Sequence, residues 1–106
     1  MIENLFSLLG RVALVTGGSR GIGKMIAQGF VESGAKVYIS ARKADACDAT
    51  AAELSKLGQC ISLPQDISTV AGCKMLAEQI CKLEGKLDIL VNNAGAAWAA
   101  DFDEFP

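Results

Sequence analysis

Not one histidine occurs in these 106 residues, which removes the commonest general base and the commonest metal ligand at once. Proline appears only twice, and aromatic residues make up 6% of a chain that is 51% apolar, so packed aliphatic layers are expected and disorder is excluded. No C-x-x-C occurs: Cys47, Cys60, Cys73 and Cys81 lie 13, 13 and 8 residues apart, wider than metal or redox clusters, and read as reduced, partly buried thiols acting as small hydrophobes. A net charge of −2 with interspersed signs gives no basic stripe, which argues against nucleic acid as a partner. No apolar run approaches the roughly 18 residues that span a bilayer. Nor does a charged n-region followed by an apolar h-region open the chain, so the expectation is a cytoplasmic protein without a membrane partner.

Glycine, by contrast, is placed with purpose. Val12-Ala13-Leu14-Val15 runs directly into Thr16-Gly17-Gly18-Ser19-Arg20-Gly21-Ile22-Gly23, spaced T-G-x-x-x-G-x-G. A strand that ends in a glycine-spaced turn and opens into a helix is the architecture of a nucleotide phosphate cradle. Gly17 permits positive φ at the sharp turn off the strand. Gly21 lets a pyrophosphate lie against backbone N–H groups, and Gly23 allows close packing of the helix on the sheet.

Strand and helix patterns alternate along the whole chain, the signature of a parallel sheet with crossover helices. Strands are predicted over Val12–Thr16, Lys36–Ser40, Gln59–Leu63 and Leu87–Asn92, the third ended by Pro64 and the fourth with Ile89, Leu90 and Val91 buried. Helices are predicted over Gly21–Ser33, Ala44–Leu57 and from about Thr69 to Gly85. The first would turn Ile22, Ile26, Ala27 and Phe30 inward and end at a left-handed Gly34. Gly58 would stop the second. The third would start at a Ser68 or Thr69 cap and bury Cys73, Leu76, Ala77, Ile80 and Leu83. Right-handed crossovers then give an α/β, Rossmann-type sheet in the order 3-2-1-4, with a crevice between strands one and four at the topological switch point.

Strand four ends in Asn92-Asn93-Ala94-Gly95. With Thr16 to Gly23 and Asp66, this set resembles the short-chain dehydrogenase/reductase family of nicotinamide-dependent oxidoreductases, in the family's order from about Phe6 to the end of the chain. Within the family the resemblance narrows to NADPH-dependent 3-oxoacyl-[acyl-carrier-protein] reductases of the rhamnolipid-biosynthesis type, on Phe6-Ser7-Leu8, Gly10-Arg11-Val12 and the tract from Asn92 to Trp98. The resemblance implies that Asn93, Ala94 and Gly95 run along the ribose and nicotinamide side of the cofactor. It implies that Asp66 accepts a hydrogen bond from the adenine amino group, with Ile67 alongside. Asn92 reads as a tie between strands, and Trp98 as either a residue near the substrate mouth or a wedge between helices. Where NAD-binding folds carry an acid at the end of strand two, this chain has Ser40-Ala41-Arg42-Lys43. Arg42, with Arg20 and Ser19 from the glycine loop, suits the 2′-phosphate of NADP(H).

The family's reaction is hydride transfer to a carbonyl, with a tyrosine as proton donor, a lysine in Y-x-x-x-K, a serine and an asparagine. Tyr38 is the only tyrosine here and has Arg42, not lysine, four residues on, so no catalytic residue is assigned. The resemblance therefore casts residues 1–106 as the N-terminal NADP(H)-binding portion of a Rossmann domain whose catalytic portion is absent, and inactive alone. It implies, for the full-length enzyme, an acyl-thioester or other small-molecule substrate and a homo-oligomer, a tetramer. A non-catalytic NADP-binding module and a remnant that binds no nucleotide are the other readings open.

Overall fold

The computed structural model describes residues 7–93. Four strands, β1 (Val12–Thr16), β2 (Lys36–Ser40), β3 (Gln59–Ser62) and β4 (Ile89–Asn92), alternate with three helices, α1 (Gly21–Glu32), α2 (Ala44–Leu54) and α3 (Val70–Glu84). All pairings are parallel, in the order β3-β2-β1-β4, as the alternating pattern predicts.

Period-two alternation sorts the strand residues onto two faces. Ala13 and Val15 of β1, Val37 and Ile39 of β2 and Cys60 of β3 face α1 and α2, meeting Ala27, Val31, Cys47, Ala51 and Leu54. Val12, Leu14 and Tyr38 face the other way, onto Cys73, Leu76 and Ile80 of α3. Every residue of β1 is buried, because β1, like β2, has a neighbour on each edge and helices on both faces. Three cysteines sit within these layers and Cys81 on the surface, all as free thiols. Burial raises the Cys47 thiol and pushes Cys60 up to about 11, so both stay protonated and act as small hydrophobes.

Helix termini explain most boundaries. At the end of α1, Gly34 adopts φ +96°. The N–H groups of Gly34 and Ala35 return to the carbonyls of Val31 and Phe30, both at 3.1 Å, which is a Schellman closure. Thr69 caps α3, its hydroxyl accepting from Gly72 N–H at 3.0 Å, and Gly85 ends that helix at φ +74°.

Several expectations need correction; β3, for one, ends at Ser62 rather than Leu63, and Ala77 is only half-buried. The inward stripe of α1 is Gly23, Ala27 and Val31, with Ile26 and Phe30 flanking it, whereas Ile22 is 69% exposed. Starting from the glycine turn, the helix presents Gly23 to the loop, and that phase turns Ile22 outward. Leu83 is also exposed (58%), since the buried line of α3 runs through Gly72, Cys73, Leu76 and Ile80. α2 stops at Leu54 rather than Leu57. Gly58 has no positive φ and is needed for space: a Cβ there would lie 2.8 Å from the Val31 side chain. β4 starts at Ile89 rather than Leu87, because Asp88 instead binds Val12, its carboxylate accepting Val12 N–H at 2.7 Å. Finally, Ile89, Leu90 and Val91 are only half-buried, as befits an edge strand with β1 as its one neighbour among the described residues.

Candidate nucleotide-binding site

The loops leaving β1, β2 and β3 at their C-terminal ends enclose a cleft of about 340 Å³. Its walls are Gly17, Ser19 and Arg20 from the first loop, Ala41, Arg42, Lys43 and Ala46 from the second, and Gln65, Asp66, Ile67 and Ser68 from the third. Among the described residues, three cations and one carboxylate thus face one hollow in a chain whose net charge is −2. Register explains the convergence: Thr16 pairs with Ser40, and Gly17 N–H donates to Ser40 O at 2.8 Å. Gln65 N–H donates to Ala41 O at 3.1 Å, drawing the third loop against the second.

The glycine loop is shaped for close approach. Gly17 and Gly21 adopt φ +66° and +61°, a region that a side chain would strain. A Cβ on Gly23 would fall 2.1 Å from Gly17 O, so the start of α1 packs against the loop's own backbone rather than directly on the sheet. Gly18, which the motif spacing leaves without a role, is held by space as well: its Cβ would lie 2.8 Å from Ile39. The result is a helix N-terminus with no side-chain cap and no acid in its first turn. The first N–H groups of a helix have no intrahelical acceptor and carry the positive end of its dipole. α2 also begins at the cleft without a side-chain cap.

Asp66 is held as an anion. Ser68 donates to its Oδ1 through the hydroxyl at 2.6 Å and the backbone N–H at 3.0 Å. These bonds, with Arg42 nearby, hold its carboxyl below the usual carboxylate range. The cap of α3 is Thr69, so Asp66 is not spent on that helix.

Of the residues singled out from sequence, the cleft brings together Gly17, Ser19, Arg20, Arg42, Asp66 and Ile67. Gly21, Ile22 and Gly23 form the first turn of α1 beside it. Asn93 stands apart, next to Gly23: its Nδ2 would be 2.9 Å from a Cβ placed there. Its backbone N–H donates to Thr16 Oγ1 at 2.9 Å, while the Thr16 hydroxyl faces Val91 O at 3.2 Å and Asn92 Oδ1 at 3.3 Å. Asn92 therefore ties β4 to β1 through a side-chain hydroxyl, and Thr16 is the hub, a role the motif hid in its first letter. Ala94, Gly95 and Trp98 lie outside the described residues. Lys43, Ala46 and Gln65 have no role assigned from the sequence, and Ser68, offered there as a cap for α3, instead donates to Asp66; Lys43 and Gln65 are discoverable as immediate neighbours of Arg42 and Asp66.

Tyr38 takes no part in the cleft. It is 2% exposed, and its hydroxyl donates to Glu84 Oε2 at the end of α3, where Lys36 Nζ also binds at 2.6 Å. Burial and the Glu84 carboxylate push its phenol far above the ordinary range, which suits a structural hydroxyl.

The short chain dehydrogenase family model matches residues 11–106. The chain is 56% identical over 101 residues to the rhamnolipids biosynthesis 3-oxoacyl-[acyl-carrier-protein] reductase of Pseudomonas aeruginosa, covering 95% of this chain and 40% of that protein. Among solved structures it resembles the Pseudomonas aeruginosa RhlG/NADP active-site complex, with a TM-score of 0.82 and 53% identity over 95% of this chain and 41% of that one. It also resembles L-sorbose reductase from Gluconobacter frateurii complexed with NADPH and L-sorbose, with a TM-score of 0.78 and 38% identity over 84% of this chain and 35% of that one. The chain thus spans about two fifths of the length of these relatives.

Proposed function

This chain belongs to the short-chain dehydrogenase/reductase family, and on that premise we propose that it is the NADP(H)-holding portion of an oxidoreductase that reduces a carbonyl to a hydroxyl. The observation that carries the cofactor assignment is the basic corner. Ser19, Arg20, Arg42 and Lys43 line one cleft, and no carboxylate stands at the end of β2 to repel a 2′-phosphate. The fit extends to shape, since Gly17, Gly21 and Gly23 leave room where any Cβ would strain or obstruct the uncapped start of α1.

In this reading the N–H groups of Gly21, Ile22 and Gly23 hold the pyrophosphate, and Gly17 gives the turn that exposes them. Arg20 and Arg42 grip the 2′-phosphate, with Ser19 and Lys43 beside them. Asp66, kept ionised, accepts from the adenine amino group, with Ile67 alongside. Asn93, followed by Ala94 and Gly95, leads toward the ribose and nicotinamide. The bound cofactor would supply a hydride from its nicotinamide ring. Residues 7–93 bind and orient it; proton transfer to the substrate is assigned to none of them, Tyr38 being buried on Glu84.

The name of the 56%-identical relative supports a 3-oxoacyl thioester as substrate class, and its greater length supports residues 1–106 as the N-terminal part of one Rossmann domain. We assign the whole protein to a homo-oligomer in the cytoplasm, a compartment that suits four unpaired thiols. Fluorescence titration of the full protein tests the cofactor assignment. NADPH should bind at least tenfold more tightly than NADH, and Arg42→Ala should abolish most of that preference. Equal affinity for the two cofactors would overturn it.

A further inference from the structure

Thr50 is a polar residue on the apolar inner face of α2, in line with Cys47, Ala51 and Leu54, and only 6% exposed. A hydroxyl buried there is costly unless it is bonded. Its partner is not in α2 and not in the sheet. Thr50 Oγ1 donates to Ser19 O at 2.9 Å, 31 positions back in the chain, in the middle of the glycine loop.

That bond joins the two walls of the cleft. The N-cap and first turn of α2 supply Lys43 and Ala46 to one wall, and Cys47 Sγ donates to Ile39 O at 3.5 Å, seating the helix on the end of β2. Ser19 and Arg20 form the other wall. A second link between the helices, Lys24 Nζ to Glu53 Oε1 at 3.1 Å, is solvent-exposed and correspondingly weak. Thr50 is thus the buried connection between the element that carries Lys43 and the loop that carries Arg20.

We infer that Thr50 is a positioning residue for cofactor specificity: its hydroxyl fixes the Ser19–Arg20 arm opposite Arg42 and Lys43, and so sets the preference for a 2′-phosphate. The inference rests on the NADP(H) reading above. The pyrophosphate end does not depend on this bond. Gly23 packs on Gly17 O, and α1 itself holds the amides of its first turn. Loss of the Thr50 bond therefore loosens the corner that only the phosphorylated cofactor uses.

Thr50→Val keeps the shape and removes the donor, and Thr50→Ser restores it. Two measurements on the full protein are required: titration with NADPH and with NADH, and amide hydrogen exchange across residues 17–20 without cofactor. Thr50→Val should weaken NADPH binding about fivefold, the value of one hydrogen bond, and change NADH binding less than twofold. It should also speed exchange at Ser19 and Arg20, and Thr50→Ser should return both readouts toward wild type. Equal weakening of both cofactors, or unchanged exchange at Ser19 and Arg20, would overturn the inference. If Thr50→Val does not fold, Thr50→Cys, a poorer donor of similar size, must show the same asymmetry. A wild-type protein indifferent to the 2′-phosphate would instead refute the NADP(H) reading, a result visible before any Thr50 variant is made.

Discussion

A methyl group on Gly23 would sit 2.1 Å from the carbonyl oxygen of Gly17, a backbone atom that cannot swing aside. Gly29, six residues further along α1, would meet nothing within 4 Å. The two positions make opposite predictions for one substitution. Gly23→Ala should force the first turn of α1 off the loop and reduce NADPH affinity at least tenfold, as a titration would show. Gly29→Ala should leave affinity unchanged and raise stability by about 0.5–1 kcal/mol in urea unfolding, because it removes a flexible residue from an exposed helix interior. Spacing alone revealed that Gly17, Gly21 and Gly23 matter. It did not reveal that Gly23 answers to a loop carbonyl, or that Gly18 answers to Ile39, since both depend on what another element brings alongside. Thr50 was illegible for the same reason. A threonine on an alanine-rich helix carries no periodic signal, and its partner is 31 residues away.

Helices and strands were mostly legible where a local signal ended them, and misplaced where a tertiary contact did. Gly34 and Gly85 terminate α1 and α3 by their own left-handed conformations, and Thr69 caps α3. The phase of α1 went the other way: apolar spacing put Ile22 inside, while the turn that delivers Gly23 to Gly17 decides the rotation. β4 is set by a contact too. Asp88 receives Val12 N–H at 2.7 Å and faces Lys86 Nζ at 3.2 Å and Arg11 at 3.8 Å, fastening the start of the edge strand to β1. The Val12 bond, then Lys86 and Arg11, hold its carboxyl below the usual range. A carboxyl lowered in the folded state stabilises above its unfolded value and loses that contribution as pH falls through its folded one. Asp88→Asn should therefore lower Tm at pH 7, and the loss should shrink at a pH low enough to protonate the wild-type carboxyl. A Tm loss equal at both pH values would assign Asp88 a packing role instead.

The whole molecule divides its work between the two ends of one parallel sheet. At the N-terminal ends of the strands, Lys36, Tyr38, Glu84, Lys86 and Asp88 pair with one another and fasten the layers. At the C-terminal ends, Arg20, Arg42 and Lys43 gather in the cleft with Asp66 as its one carboxylate among the described residues. The glycine loop points to the C-terminal ends, and the missing acid after β2 to a basic corner there, whereas nothing in the sequence marks the ion pairs at the other end. The switch-point crevice between β1 and β4 was expected to share the ligand. There the structure shows Asn93 beside Gly23, fixed through Thr16, while the cleft itself opens over β1, β2 and β3. Because Arg20, Arg42, Lys43 and Asp66 all line that cleft, a ligand fragment tests it without the nicotinamide half of the cofactor. Calorimetric titration of the full protein with adenosine 2′,5′-bisphosphate and with adenosine 5′-monophosphate compares the corner with and without its extra phosphate. The account predicts at least tenfold tighter binding of the bisphosphate, from charge-assisted bonds to Arg20 and Arg42, and loss of that margin in the Arg42→Ala protein. Equal affinity for the two nucleotides would contradict it.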